Sequence, residues 1–176
     1  QVMKEKLGEK EVIAEDLGFL TDSVIELVEQ SGYPGMKILQ FAFDSREESD
    51  YLPSKYTPNC VVYTGTHDND TTVGWYNTIE GPDKEFAKRY VGITEDETDV
   101  SWKFVKAAMA SVADTAVIPI QDYLELGTEA RKNDPSTLGT NWKKKKKKGV
   151  CTDELANRMK ELAKELTREF GKGFSR

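Results

Sequence analysis

Histidine is almost missing from this chain: 176 residues contain one, His67, so no multi-histidine metal centre can form within it. Cysteine is nearly as scarce. Cys60 and Cys151 stand far apart with no Cys-x-x-Cys spacing, which argues against a disulfide framework or a thiolate zinc site. Both are read as reduced thiols, Cys60 packing as a small hydrophobe inside an apolar run. No stretch reaches the roughly 18 consecutive apolar residues of a membrane-spanning helix. The first residues carry neither the basic lead nor the apolar run of a secretion signal, so a soluble, cytoplasmic protein without a membrane partner is expected. Positive charge is also in deficit. A formal net charge of −6 argues against a nucleic-acid partner, which demands clustered cations against phosphates. A GxSxG nucleophile elbow is absent too, so nothing supports a serine triad around the lone histidine.

What is present describes a globular chain with a core: 38% of residues are hydrophobic and 32% charged, and the length suits one ordinary domain. Three apolar runs end alike, EVIAEDLG (Glu11 to Gly18), CVVYTGTHDND (Cys60 to Asp70) and TAVIPIQDYLELG (Thr115 to Gly127). Each is a short β-branched run followed at once by acids and amides, as in a strand buried on both faces that opens into a loop. MKILQFAFD (Met36 to Asp44) fits more loosely. The spacing predicts helices between them: TDSVIELVEQSG with Thr21 or Asp22 as N-cap and Gly32 as the stop, DKEFAKRYVG, and VSWKFVKAAMASVAD. Strands that alternate with helices point to an α/β protein with a parallel sheet. A final amphipathic helix is expected over residues 152–171, with Leu155, Met159, Leu162, Leu166 and Phe170 on its packing face.

Two segments stand apart from that pattern. Lys143 to Lys148 form an unbroken lysine run, read as a solvated surface stretch because six like charges repel one another. The opening QVMKEKLGEKEV reads as the middle of a surface helix.

Carboxylates at the ends of strands are the first candidates for chemistry. Glu15 and Asp16 follow Val12, Ile13 and Ala14 directly. At least one should enter a loop-walled cleft, where desolvation can raise a carboxyl pKa until it donates a proton near neutral pH. The alternative is that an acid here caps the next helix. His67 and Asp68, beside Asn69 and Asp70, can bind a metal, activate a nucleophile or hydrogen-bond a polyhydroxyl ligand, or can simply build a hydrogen-bonded turn. Two carboxylates at separate strand ends suit glycoside chemistry, in which one protonates the leaving oxygen and developing positive charge on the sugar needs an anion. Tyr51, Tyr56, Trp75, Tyr76 and Trp142 are expected in loops, where aromatic faces can stack on sugars or pack the core.

Taken in order, VIAEDLG, GYPGMKILQFAFD, YLPSKY, VVYTGTHDNDTTVGWY, ASVADTAVIPIQDYLELGTEARKN and NW closely resemble the 4-alpha-glucanotransferases called amylomaltases or disproportionating enzymes. The resemblance runs from about Val12 to Trp142. It implies a (β/α)8 TIM barrel that moves α-1,4-glucan segments between maltodextrins by a retaining double displacement, with no metal or organic cofactor. By that resemblance Glu15 is the general acid/base and Asp68 the carboxylate that stabilises the oxocarbenium-like transition state. His67 is implied as a sugar ligand, and Asp16, Asp44 and Asn141 as further substrate-binding residues.

The resemblance has two gaps. The family's nucleophilic aspartate lies in a short arginine-aspartate-histidine motif on an earlier strand, and no such motif occurs here. The chain therefore reads as the C-terminal half of the barrel, strands five to eight, with residues 1–176 forming one partial catalytic domain, the missing N-terminal half-barrel as its partner, and no activity alone. After Asn141 and Trp142 the family usually continues with an aromatic and an arginine, where this sequence has the lysine run. A metal-dependent hydrolase built on His67, Asp68 and Asp70, and a non-catalytic maltodextrin-binding module, are the alternatives.

Overall fold

Residues 60–63 show how the sheet forms. Cys60, Val61 and Val62 are all buried, and a strand covered on both faces by apolar, largely β-branched side chains is stable only in the middle of a sheet. A computed structural model describes residues 2–8, 10–18, 20–139, 141–145 and 147–168. In it, helices α1 (Val2–Leu7) and α2 (Asp22–Ser31) precede strand β1 (Gly35–Ile38), and β2 (Cys60–Tyr63) is followed by α3 (Thr72–Thr78), α4 (Gly81–Val91) and α5 (Val100–Met109). Strand β3 (Thr115–Val117) leads through α6 (Ile120–Tyr123) to α7 (Asp153–Glu165). The sheet has the order β1-β2-β3 and is parallel throughout, with Gly35 opposite Cys60 and Val61 opposite Thr115. All three strands therefore end on one side, and the loops that follow them share it.

Helix α5 divides the core. Phe104 and Ala108 face a cluster that includes Phe43, Leu52, Tyr56 and Val62. Trp102, Val105 and Met109 face Tyr123 on α6 and Leu162 and Ala163 on α7. A helix apolar on two sides belongs between layers rather than on a surface. Arg168, just beyond α7, closes this side: its Nε donates to the carbonyl of Met109 at 2.5 Å, and its Nη2 to those of Ser111 and Ala113 at 2.7 and 2.6 Å.

Several expectations hold. Helix α2 stops at Gly32 in the left-handed region with φ 69°, and α4 at Gly92 with φ 73°, where a side chain would be strained. Thr152 caps α7 by accepting from the Leu155 N–H at 3.1 Å. Other boundaries shift. The run at Glu11 to Gly18 makes a single parallel bridge, Ala14 with Gly35, instead of a full strand; it lies at the sheet edge with Ile13 exposed. Strand β3 ends before Pro119, which has no N–H for a ladder, and Gln121 to Gly127 turn into α6 and its exit. Trp75 and Tyr76 lie on α3, not in a loop, and pack against Phe104 at ring-centroid distances of 5.3 and 6.0 Å. Tyr56 is buried, its hydroxyl donating to the Tyr51 carbonyl at 2.7 Å. Helix α2 buries no residue, and its apolar Val24, Ile25 and Leu27 are exposed. Helix α7 ends at Glu165, and Phe170 lies outside the described residues. Among the described lysines, those at 143, 144, 145, 147 and 148 are exposed and outside regular structure. No helix among the described residues is long and apolar enough to cross a membrane.

Candidate functional site

Strand β2 ends at Tyr63 because the sequence turns from apolar to polar there, and the loop that follows is folded by its own side chains. Asn69 Oδ1 accepts from the Thr66 N–H at 2.9 Å and from its hydroxyl at 2.8 Å. The Thr66 hydroxyl in turn accepts from the Asp68 N–H at 3.3 Å, a side-chain-built turn that needs Thr and Asn at this spacing. The Asp70 carboxylate accepts from the Thr71 N–H and the Thr128 hydroxyl, both at 2.7 Å. Gly74 fits because a Cβ there would lie 2.6 Å from Asp70 Oδ2.

These contacts leave His67 and Asp68 at the surface of the turn, each side chain about half exposed. His67 Nε2 lies 3.2 Å from Asp68 Oδ1. Asn133 Nδ2 donates to the same oxygen at 2.6 Å, and Arg131 donates to the Asp68 carbonyl at 2.8 Å. The His67 ring sits 5.2 Å from that of Trp142. Trp142 is exposed and has φ 61°, a left-handed backbone conformation that costs a bulky residue of order 1–3 kcal/mol and is concentrated at functional sites. Its N–H donates to the Lys132 carbonyl at 2.9 Å. Below the turn lies a shallow open cleft lined by His67, Asp70, Pro119, Gln121, Asp122 and Arg131.

The floor of that cleft holds Asp122, 1% exposed. It accepts from the Thr64 hydroxyl at 2.5 Å and the Thr72 N–H at 2.8 Å. Burial raises its pKa, and these two hydrogen bonds counter part of the rise.

The other expected residues occupy different places. Glu15 is exposed beyond Ala14. The Tyr63 phenol is pushed up first by burial and then by the charge of Glu15, so the Glu15 carboxylate acts on the C-terminal end of β2. Asp16 packs on the start of β1: its Oδ1 accepts from the Met36 N–H at 2.7 Å, and a Cβ on Gly35 would meet its Oδ2 at 2.4 Å. Asp44 is gripped by Arg46 through two bonds of 2.8 and 2.6 Å, and the guanidinium holds its pKa down at about 2. Asn141 donates to the carbonyls of Asp134 and Thr137 at 3.1 and 3.2 Å, closing the loop before Trp142. Among the described residues, no hydrogen bond joins Asp16, Asp44 or Asn141 to the His67–Asp68 pair.

Arg131, Asn133 and Asp122 are site residues that residue type and spacing alone do not single out. The signal was present in QDYLELGTEARKN, whose polar residues follow a strand, but nothing local told which of them turn towards His67. The metal-hydrolase alternative fares poorly, since Asp70 is committed to Thr71 and Thr128. Among the described residues no three His, Cys, Asp or Glu side chains gather to hold an ion.

Comparison with known proteins points one way. A family profile described as 4-alpha-glucanotransferase matches residues 1–150. The 4-alpha-glucanotransferase of Clostridium butyricum is 48% identical over 164 residues, covering 93% of this chain and 34% of that protein. That of Thermus thermophilus is 45% identical over 174 residues, covering 96% and 35%. The solved amylomaltase from Streptococcus agalactiae, in complex with acarbose, superposes with a TM-score of 0.89 at 32% identity, over 96% of this chain and 34% of that one. The chain thus spans about a third of the length of these relatives. With the profile covering most of the sequence, this chain belongs to the 4-alpha-glucanotransferase family.

Proposed function

We propose that this chain supplies the acid/base and the transition-state anion of a 4-alpha-glucanotransferase, an enzyme that moves α-1,4-glucan segments between maltodextrins with retention at the anomeric carbon. The observation that carries the reading is the Asp68 carboxylate. It stands half exposed on the turn after β2, next to the cleft-lining His67 and fixed by Asn133 and His67, in a chain of this family. A carboxylate held by a donor on one side and open on the other can meet sugar hydroxyls and offset charge as the ring becomes oxocarbenium-like.

In this mechanism a nucleophile contributed by polypeptide outside these residues attacks the anomeric carbon, and Glu15 protonates the departing glycosidic oxygen. Glu15 then takes the proton of the acceptor hydroxyl as the new glycosidic bond replaces the bond to the nucleophile. His67 binds a sugar hydroxyl beside Asp68, and Trp142 offers an apolar face next to it. Asp16, Asp44 and Asn141 act at the margin of the glucan path, Asp44 after exchanging Arg46 for a sugar hydroxyl. The parallel sheet is read as the C-terminal half of the (β/α)8 barrel, the Ala14 edge marking strand five and β1 to β3 strands six to eight. The missing N-terminal half-barrel is the expected partner.

Maltotriose incubated with the purified chain, followed by chromatography, tests the reading. Silence from the chain alone, with glucose and longer maltodextrins appearing once the N-terminal half is co-expressed, is the expected result. In that reconstituted enzyme Glu15→Gln should lower transfer by about 10²- to 10⁴-fold with sugar binding kept, and Asp68→Asn should weaken both. Ordinary turnover by the Glu15→Gln protein would remove the acid/base assignment.

A further inference from the structure

Asp122 plays no part in the chemistry just described, yet its place is unusual. Thr64 is the first residue after β2 and Thr72 the first residue of α3, so they bracket the loop that carries His67 and Asp68. One buried carboxylate holds both: Oδ2 accepts from the Thr64 hydroxyl at 2.5 Å and Oδ1 from the Thr72 N–H at 2.8 Å. Asp122 comes from the segment after β3, some fifty residues away, and is 1% exposed, so bulk solvent has little access to either bond. Gln40 supports the loop from the other side, donating from Nε2 to the Asp70 carbonyl at 3.0 Å.

We infer that Asp122 is a positioning residue for the His67–Asp68 pair, a clasp whose two oxygens fix the distance between the ends of the loop at 65–71 and so the pose of the sugar-facing side chains. The task calls for a planar side chain with two polar ends. The Thr72 N–H can only donate and needs an acceptor, whereas the Thr64 hydroxyl can donate or accept, so a carboxylate or an amide can hold both partners and an apolar side chain can hold neither. Through Thr64 and Thr72 the clasp couples the third strand's loop to the second's, and displacement of about 1 Å at such a pair is enough to cost a site most of its rate. The inference rests on the glucanotransferase reading for its functional meaning, but its geometry can be tested without turnover.

His67 is the only histidine, so selective histidine and tryptophan isotope labelling reports this loop free of overlap. In the unmodified chain a nuclear Overhauser contact between the His67 and Trp142 rings is expected from their 5.2 Å separation. Cross-relaxation falls with the sixth power of distance, so loosening by about 1 Å, the scale at which positioned groups lose their geometry, cuts that signal about threefold. Asp122→Leu, which removes both polar ends at similar volume, and Thr64→Val should both show this loss. Thr64→Ser, which keeps the hydroxyl, should retain the signal. Leu162→Ala, which opens the core between α5 and α7, should retain it as well, although the fold is weakened. Retention of the contact in Asp122→Leu, or its loss in Leu162→Ala, overturns the inference. Should Asp122→Leu fail to fold, the Thr64→Val and Thr64→Ser pair decides the same question. In the reconstituted enzyme Asp122→Leu is expected to lower kcat about tenfold or more while KM changes little. A lost ring contact in a protein that never acts on maltodextrin would refute the functional reading alone and leave the clasp standing.

Discussion

Replacing Phe104 by alanine gives the most direct measure of what holds the sheet and the site together. Phe104 is 1% exposed, and its ring meets those of Phe43, Trp75 and Tyr76 at 5.7, 5.3 and 6.0 Å. Truncating a buried phenylalanine costs about 3–5 kcal/mol through lost transfer energy and the cavity left behind. The edge-on contact with Phe43 and Trp75 adds about 0.5–1.5 kcal/mol for each ring pair, so the upper end of that range, about 4–5 kcal/mol, is expected. Against a total of about 5–15 kcal/mol for a domain, the variant keeps only a small margin. Its Tm should fall by about 10–20 °C at the usual sensitivity for a chain of this size. Urea unfolding followed by far-ultraviolet circular dichroism measures the free energy, and near-ultraviolet dichroism of Trp75 reports the cavity directly. Phe104→Leu, which keeps most of the apolar volume, should lose roughly half as much or less. A loss below about 2 kcal/mol in Phe104→Ala, with an unchanged urea slope, would show that the four rings do not form the keystone of this core.

Three further outcomes follow from the structure. Trp142→Ala should weaken maltodextrin binding roughly tenfold, about 1–1.5 kcal/mol for one stacked ring. It should shift stability by no more than about 0.5 kcal/mol because the side chain is exposed, and an unchanged Kd by calorimetry would remove Trp142 from the sugar path. In Arg46→Ala the Asp44 carboxyl should titrate nearer 3.8 instead of about 2, as read by carbon-13 NMR, since the guanidinium is the main cause of the depression. A midpoint that stays low would mean that another group holds it. Arg168→Ala should cost about 2–4 kcal/mol, because three carbonyls lose charge-assisted donors at once. Arg168→Lys should recover only part of that, since an ammonium cannot span the three, and full recovery in thermal unfolding would refute the fork geometry.

The elements most legible in the sequence were those specified locally. Gly32 marks a helix end because only a residue without a side chain enters that backbone region freely. The buried strand at Cys60 to Tyr63 was legible for a similar reason, an apolar run too short for a helix and followed by polar residues. Trp75 and Tyr76 were misplaced because THDNDTTVGWY reads as one polar loop until Thr71, through its bond with the Gly74 N–H, starts a helix inside it. The run before Gly18 lost most of its strand because pairing depends on a neighbour, which no local pattern encodes. The site shows the same division. His67 and Asp68 stand out by residue type, whereas Asn133, Arg131 and Asp122 become meaningful only once the sheet brings the loop after β3 against the loop after β2.

That juxtaposition has a bearing on how the protein comes into being. The bonds from Asn133 to Asp68 and from Thr128 to Asp70 join residues 65 and 58 positions apart, while the turn around Thr66 closes over three. Short loops close fast and long ones carry a larger entropic cost before any contact rewards them. The turn can therefore take shape early, as a local object, while its carboxylate still points nowhere in particular. During synthesis Asp68 has no Asn133 to meet until the ribosome has released everything through Asn133, so the setting of this carboxylate arrives well after most of the helices that surround it.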